Sequence, residues 1–163
     1  MMFSPARLSL AKTVLDEARA KSLRIATAES CTGGLIAGLL TEIPGSSDVL
    51  DRGFVVYSDQ AKQDLLGVPG SLIAELGAVS RAVARAMAQG AVAHSKAQLA
   101  VAVTGIAGPG GGSAQKPVGL VHLAAFRENG ALLHEEHRFG DIGRAQVRLK
   151  SVEAALTLLR GLI

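Results

Sequence analysis

Five consecutive apolar residues, Leu99-Ala100-Val101-Ala102-Val103, lead straight into the loop Thr104–Ser113, which holds five glycines. An unbroken apolar run of strand length is what a strand covered on both faces requires. A sheet containing it needs helices on either side, and the flanking sequence supplies them. Pro5 to about Ala20 carries Leu8, Ala11, Val14, Leu15 and Ala18 at helical spacing, with Ser4 placed as its N-cap. Leu23–Ala28 is a short strand candidate that hands over, at Glu29-Ser30-Cys31-Thr32-Gly33-Gly34, to a helix from about Thr32 to Thr41. Pro44-Gly45 ends that helix.

Gly53–Tyr57 reads as another strand, and Ser58 or Asp59 caps the short helix after it, which stops at Gly67. A small helix from Ser71 to Leu76 closes with Gly77, and Ser80 caps an alanine-rich helix reaching about Ser95. Val118–Phe126 and Ala131–Phe139 form a hairpin around Glu128-Asn129-Gly130, where Asn-Gly is a strong turn signal. A last helix runs from about Arg144 to Leu162. Strands alternating with helices predict an α/β fold, a three-layer α/β/α sandwich. Its sheet is expected to be mixed and mainly parallel, ending in the antiparallel hairpin. The 163 residues fit one domain.

Composition narrows the function classes. With 48% hydrophobic residues, 3% aromatics and no Trp, the core must be aliphatic. The net charge of +3 is scattered, without a basic stripe or stacking aromatics. Direct nucleic-acid binding is therefore not expected, and an anionic small molecule suits the balance better. Cys31 is the lone cysteine, which rules out an intramolecular disulfide and suits a reducing compartment. The N-terminus lacks a basic region followed by an apolar one, and no stretch is apolar enough to span a bilayer. A cytoplasmic protein is expected.

Three places could carry chemistry. Ser30 sits where a buried strand hands over to a helix, and the N–H groups of Cys31, Thr32, Gly33 and Gly34 at the helix start could hold an anion or an oxyanion. Equally, Ser30 is an N-cap and the glycines pack the helix against the sheet. Tyr57, the only tyrosine, ends a strand, and Lys62 falls in the first turn of the next helix. A cation there opposes the helix dipole, which favours the neutral amine and suits a general base for a serine hydroxyl. The alternative is a solvated lysine. The Thr104–Ser113 loop exposes several backbone N–H groups and suits an anion nest or a nucleotide pocket wall. It matches neither a P-loop nor a dinucleotide fingerprint.

Weaker features are more plainly structural. Cys31 at a helix start could be a nucleophile, but a packed cysteine is the favoured reading. His134 and His137 would face opposite sides of a strand, so a shared metal is not expected. Arg144 and Arg148, one helical turn apart, could clamp a phosphate or form a solvated face.

Taken together, four blocks in order resemble the CinA C-terminal domain family. They are Ala26–Gly34, Arg52–Ser58 with Ala61-Lys62 and Leu66–Val68, Gly77–Ser80 with Val83-Ala84, and Val103–Gly111 with Lys116–Gly119. The resemblance covers about residues 8 to 160. One departure is Gly140-Asp141-Ile142-Gly143-Arg144, where the family more often has Arg straight after Gly-Asp; a two-residue insertion leaves the phosphate ligand open. The resemblance implies a nicotinamide-nucleotide amidase that converts nicotinamide mononucleotide to nicotinate mononucleotide and ammonia. It implies Ser30 as nucleophile with Lys62 and Tyr57 as activating partners. Cys31, Thr32, Gly33, Gly34, Thr104, Gly105, Gly108 and Arg144 are then the expected substrate contacts. No metal or cofactor is expected, since the lysine supplies the base. The pyrophosphatase of full-length family proteins lies on a different domain, which this length is expected to exclude. The alanine-rich helices and small size suggest a homo-oligomer. The alternative function is a nucleotide-binding or interaction module of the competence and DNA-damage response, without catalysis.

Overall fold

The computed structural model describes residues 2–163. Five strands form one sheet: β1 (Ile25–Glu29), β2 (Leu50–Val55), β3 (Leu99–Gly105), β4 (Leu120–Arg127) and β5 (Leu132–Arg138). Their spatial order is β2-β1-β3-β4-β5. The β1–β2 and β1–β3 pairs are parallel, and β3–β4 and β4–β5 are antiparallel. All strands but β4 therefore point the same way, which gives the mixed, mainly parallel sheet expected.

Six helices cover it: α1 (Pro5–Ala20), α2 (Leu35–Thr41), α3 (Asp59–Leu66), α4 (Gly70–Leu76), α5 (Arg81–Ala93) and α6 (Arg144–Arg160). Three of them start on a serine that reads clearly in the sequence. Ser4, Ser58 and Ser80 each accept the backbone N–H three residues on, as N-caps do. α2 starts at Leu35, not at Thr32 as expected, because residues 31–34 form a turn before it. β2 runs over Leu50–Val55, so Tyr57 lies beyond the strand rather than ending it.

The two faces of the sheet are built from different side chains. Ile25, Leu99, Val101, Val103 and Leu123 pack under α1, α2 and α6. On the other face Ala26, Ala28, Ala100, Ala102 and Ala124 lie under α3, α4 and α5. Alternation along a strand sends neighbours to opposite faces, so the apolar run supplies both cores. Alanines on one face let α5 approach closely. Gly90 in α5 is the tightest contact: a Cβ there would fall 2.1 Å from the Leu66 carbonyl oxygen of α3. Gly→Ala inside a helix normally stabilises by up to ~1 kcal/mol. Here Gly90→Ala is expected to destabilise by about 2 kcal/mol through overpacking, read from urea unfolding.

β1 is followed by a helix on one face and β3 is preceded by a helix on the other. The crevice outside the carboxyl ends of these neighbours is where open α/β sheets place ligands. Ser30, Thr104 and Gly105 stand at those ends.

Candidate active site

Glu29, the last residue of β1, is fully buried. Its carboxylate accepts the Thr32 hydroxyl at 2.6 Å and the N–H groups of Gly34, Ile36 and Ala37 at 3.1, 3.0 and 2.9 Å. Thr27 Oγ1 donates from 3.2 Å. No lysine or arginine pairs with this carboxylate among the described residues. The positive end of α2 and two hydroxyls stabilise the charge instead. Sequence reasoning missed Glu29, although its place between strand and helix and the Thr32 three residues on were visible signals.

This arrangement corrects the expectation for the helix start. The N–H groups expected to face substrate are already used: Gly34 N–H goes to Glu29, and Gly33 N–H to the Ser30 carbonyl. Gly33 and Gly34 adopt positive φ of 59° and 99°, so glycine serves the turn there. Arg148, expected as half of a phosphate clamp, donates instead to the carbonyls of Cys31 at 3.0 Å and Thr32 at 3.3 Å. It buttresses the turn that carries Ser30. Of the four turn amides, Cys31 and Thr32 N–H lack an oxygen acceptor among the described residues.

Lys62 projects from α3 to the same point. It is 1% exposed, which removes the solvated reading. Its Nζ lies 3.0 Å from Ser30 Oγ, 3.0 Å from the Val56 carbonyl and 3.2 Å from the Tyr57 carbonyl. Nζ donates to all three, and the Ser30 hydroxyl in turn donates to the Tyr57 carbonyl at 3.5 Å. Burial pushes the Lys62 pKa below its ordinary 10.5, opposed by the nearby Asp59 charge. Tyr57 meets both residues only through its carbonyl. The residue is 63% exposed, and its hydroxyl accepts from Arg144 Nη2 at 3.2 Å. Tyr57, expected as an activating partner, thus stands beside the pair by its backbone, and the Ser30 and Lys62 side chains touch directly.

A cavity of about 270 Å³ opens above this pair. Ser30, Cys31, Tyr57, Lys62, Thr104, Gly105 and Arg144 line it, all read as site residues from the sequence. Asp59, Ala78 and Val79 also line it and were not singled out. Thr32, Gly33, Gly34 and Gly108 are not part of its wall. Gly108 acts one step back, its carbonyl accepting from Arg144 Nη1 at 2.9 Å. Thr104 Oγ1 donates to the Ala78 carbonyl at 2.9 Å and so holds the Leu76–Ser80 strap over the cavity. Burial raises the Cys31 thiol to about 11, so it stays protonated at neutral pH and is no rival nucleophile. Among the described residues, no group of three His, Cys, Asp or Glu is gathered as for a metal ion. No described helix is long and apolar enough to cross a membrane.

The sequence pattern of the CinA C-terminal domain matches residues 7–163. The chain belongs to that family. A CinA-like protein of Synechococcus is 52% identical over 153 residues, 93% of this chain. The chain spans only 36% of the length of that relative. The crystal structure of the competence/damage inducible protein CihA from Agrobacterium tumefaciens superposes with a TM-score of 0.97 at 56% identity, covering 98% of this chain and 97% of that one. A competence-damaged protein (CinA) superfamily structure from Escherichia coli gives 0.91 at 32% identity, covering 99% and 94%. CinA membership thus fixes the fold, and residue geometry has to carry the chemistry.

Proposed function

We infer that this CinA domain is a metal-independent serine/lysine amidohydrolase acting on the carboxamide of nicotinamide mononucleotide. The observation that carries the reading is the buried Lys62 amine 3.0 Å from Ser30 Oγ, with two backbone carbonyls taking its N–H groups. Once neutral, an amine held this close to the hydroxyl accepts the serine proton. Ser30 Oγ attacks the amide carbon while its proton moves to Lys62. The Cys31 N–H, directly after the nucleophile, is the natural donor to the oxyanion. Lys62 then returns the proton to the leaving nitrogen, and ammonia departs from an acyl-serine. Water attacks next, giving its proton to Lys62, and the carboxylate product and free Ser30 follow. Arg144 at the cavity mouth supplies the charge for the substrate phosphate. No resident cofactor enters these steps.

Ammonia release from nicotinamide mononucleotide, with chelator present, tests the reading. Ser30→Ala is expected to lose roughly a thousandfold or more. Full activity in that variant sinks the serine mechanism. Binding of the nucleotide without ammonia release favours the non-catalytic binding module.

The pH profile follows from Lys62. The neutral amine is the active form, so kcat/KM rises with pH through the Lys62 pKa and levels off above it. Because burial lowers that pKa, the limb lies below an ordinary lysine at 10.5. Asp59 holds it up, so Asp59→Asn is expected to move the limb to lower pH. An unmoved limb would separate the titration from Lys62.

A further inference from the structure

Behind the Leu76–Ser80 strap lies a second cavity, of about 440 Å³, that the amidase chemistry does not use. Arg81 and Arg85, one turn apart on α5, line it with Lys116 and His122. Neither arginine has an acidic partner among the described residues. Lys116 Nζ donates to the Leu76 carbonyl at 2.5 Å, which fixes its charge at the rim. The wall contains no carboxylate. Glu136 lies opposite His122 across β4 and β5, and Arg138 holds it at 2.8 Å.

His122 is the decisive group. It is 8% exposed, and its Nδ1 lies 2.9 Å from His134 Nε2 with the rings stacked. One of those facing nitrogens donates and the other accepts, so the pair shares a single proton. His122 Nε2 has no partner among the described residues. His122 is a nearly buried residue on the cavity wall, which leaves that nitrogen for a ligand to meet. The N-terminus of α5 adds to the same field. Ser80 Oγ takes the Val83 N–H, and the Arg81 and Ala82 N–H groups are left over.

We propose that this cavity binds a phosphomonoester with a small apolar body. Arg81, Arg85 and His122 take the phosphate, and Leu76 and Val79 pack against the body. Free phosphate would leave most of the space empty, whereas ligand pockets of roughly 300–1,000 Å³ enclose small organic molecules. The site is separate from the Ser30 cavity, but Val79 lines both.

The test is titration of the full chain with phenyl phosphate, following the His122 and His134 ring nitrogens by NMR. Saturable shifts at both rings are expected, weakened tenfold or more in Arg81→Gln/Arg85→Gln and retained in Arg144→Gln. No shift, or an equal response to phenol, overturns the site. Loss in Arg144→Gln with retention in the double variant would assign the shifts to the Ser30 cavity and overturn it as well. Inorganic phosphate binding as tightly as phenyl phosphate would refute the apolar half. Ammonia release is read separately through Ser30, so neither proposal stands or falls with the other.

Discussion

Lys62→Met is expected to cut ammonia release by roughly a thousandfold or more while the protein stays folded. The side chain keeps its length and loses only the amine that faces Ser30. Stability changes in two opposing ways. The desolvation of the buried amine disappears, and the Val56 and Tyr57 carbonyls each lose a donor, at about 1 kcal/mol apiece. The net change should stay within about 2 kcal/mol. A linkage signature goes with it. The folded-state pKa of Lys62 lies below 10.5, so between the two values the unfolded chain holds a proton that the folded chain has released. Wild-type stability therefore rises with pH across that window, and Lys62→Met lacks this share of the rise. Urea unfolding of both proteins over a pH series reads the difference. Activity within tenfold of wild type would remove Lys62 from the mechanism.

The second large effect is on the fold. Glu29→Gln is expected to lower stability by about 2–4 kcal/mol, because hydrogen bonds to a charged acceptor are worth about 1.5–3 kcal/mol each. One carboxylate oxygen accepts from Ala37 N–H and the other from Gly34 and Ile36 N–H. Either orientation of the amide thus points an NH₂ at a backbone donor. The Ser30 turn hangs between this cap and Arg148, so kcat should fall along with stability. Urea unfolding measures the first effect. A loss below about 0.5 kcal/mol would mean that the α2 amides find other acceptors.

These two residues mark where sequence reasoning reached and where it stopped. Ser4, Ser58 and Ser80 were legible as caps because an N-cap acts three residues away, within one local pattern. The cap of α2 was not, because Glu29 reaches from the preceding strand to amides five, seven and eight residues on. Helix start signals do not cover that reach, so α2 was placed three residues early. β2 was misplaced for a similar reason. Gly53–Tyr57 looks like a strand on its own, but pairing of Leu50 with Ile25 and Val55 with Glu29 sets the true bounds. Tyr57 consequently falls outside the sheet, with its carbonyl turned to Lys62 and its hydroxyl to Arg144.

The amino-acid sequence by itself determined the alternation of strands and helices, the two apolar faces of the central strand, the hairpin turn and the three serine helix caps. These depend on periodicity and neighbours, which a chain carries along its length. Only the tertiary structure decided that Lys62 is buried rather than solvated, and that it meets Ser30 directly. Parallel pairing of β2 with β1 sets Val55 beside Glu29, and α3 then folds its lysine back over the Val56 and Tyr57 carbonyls to meet Ser30. The charge state of an amine depends on how much water the fold leaves around it, and no local pattern contains that.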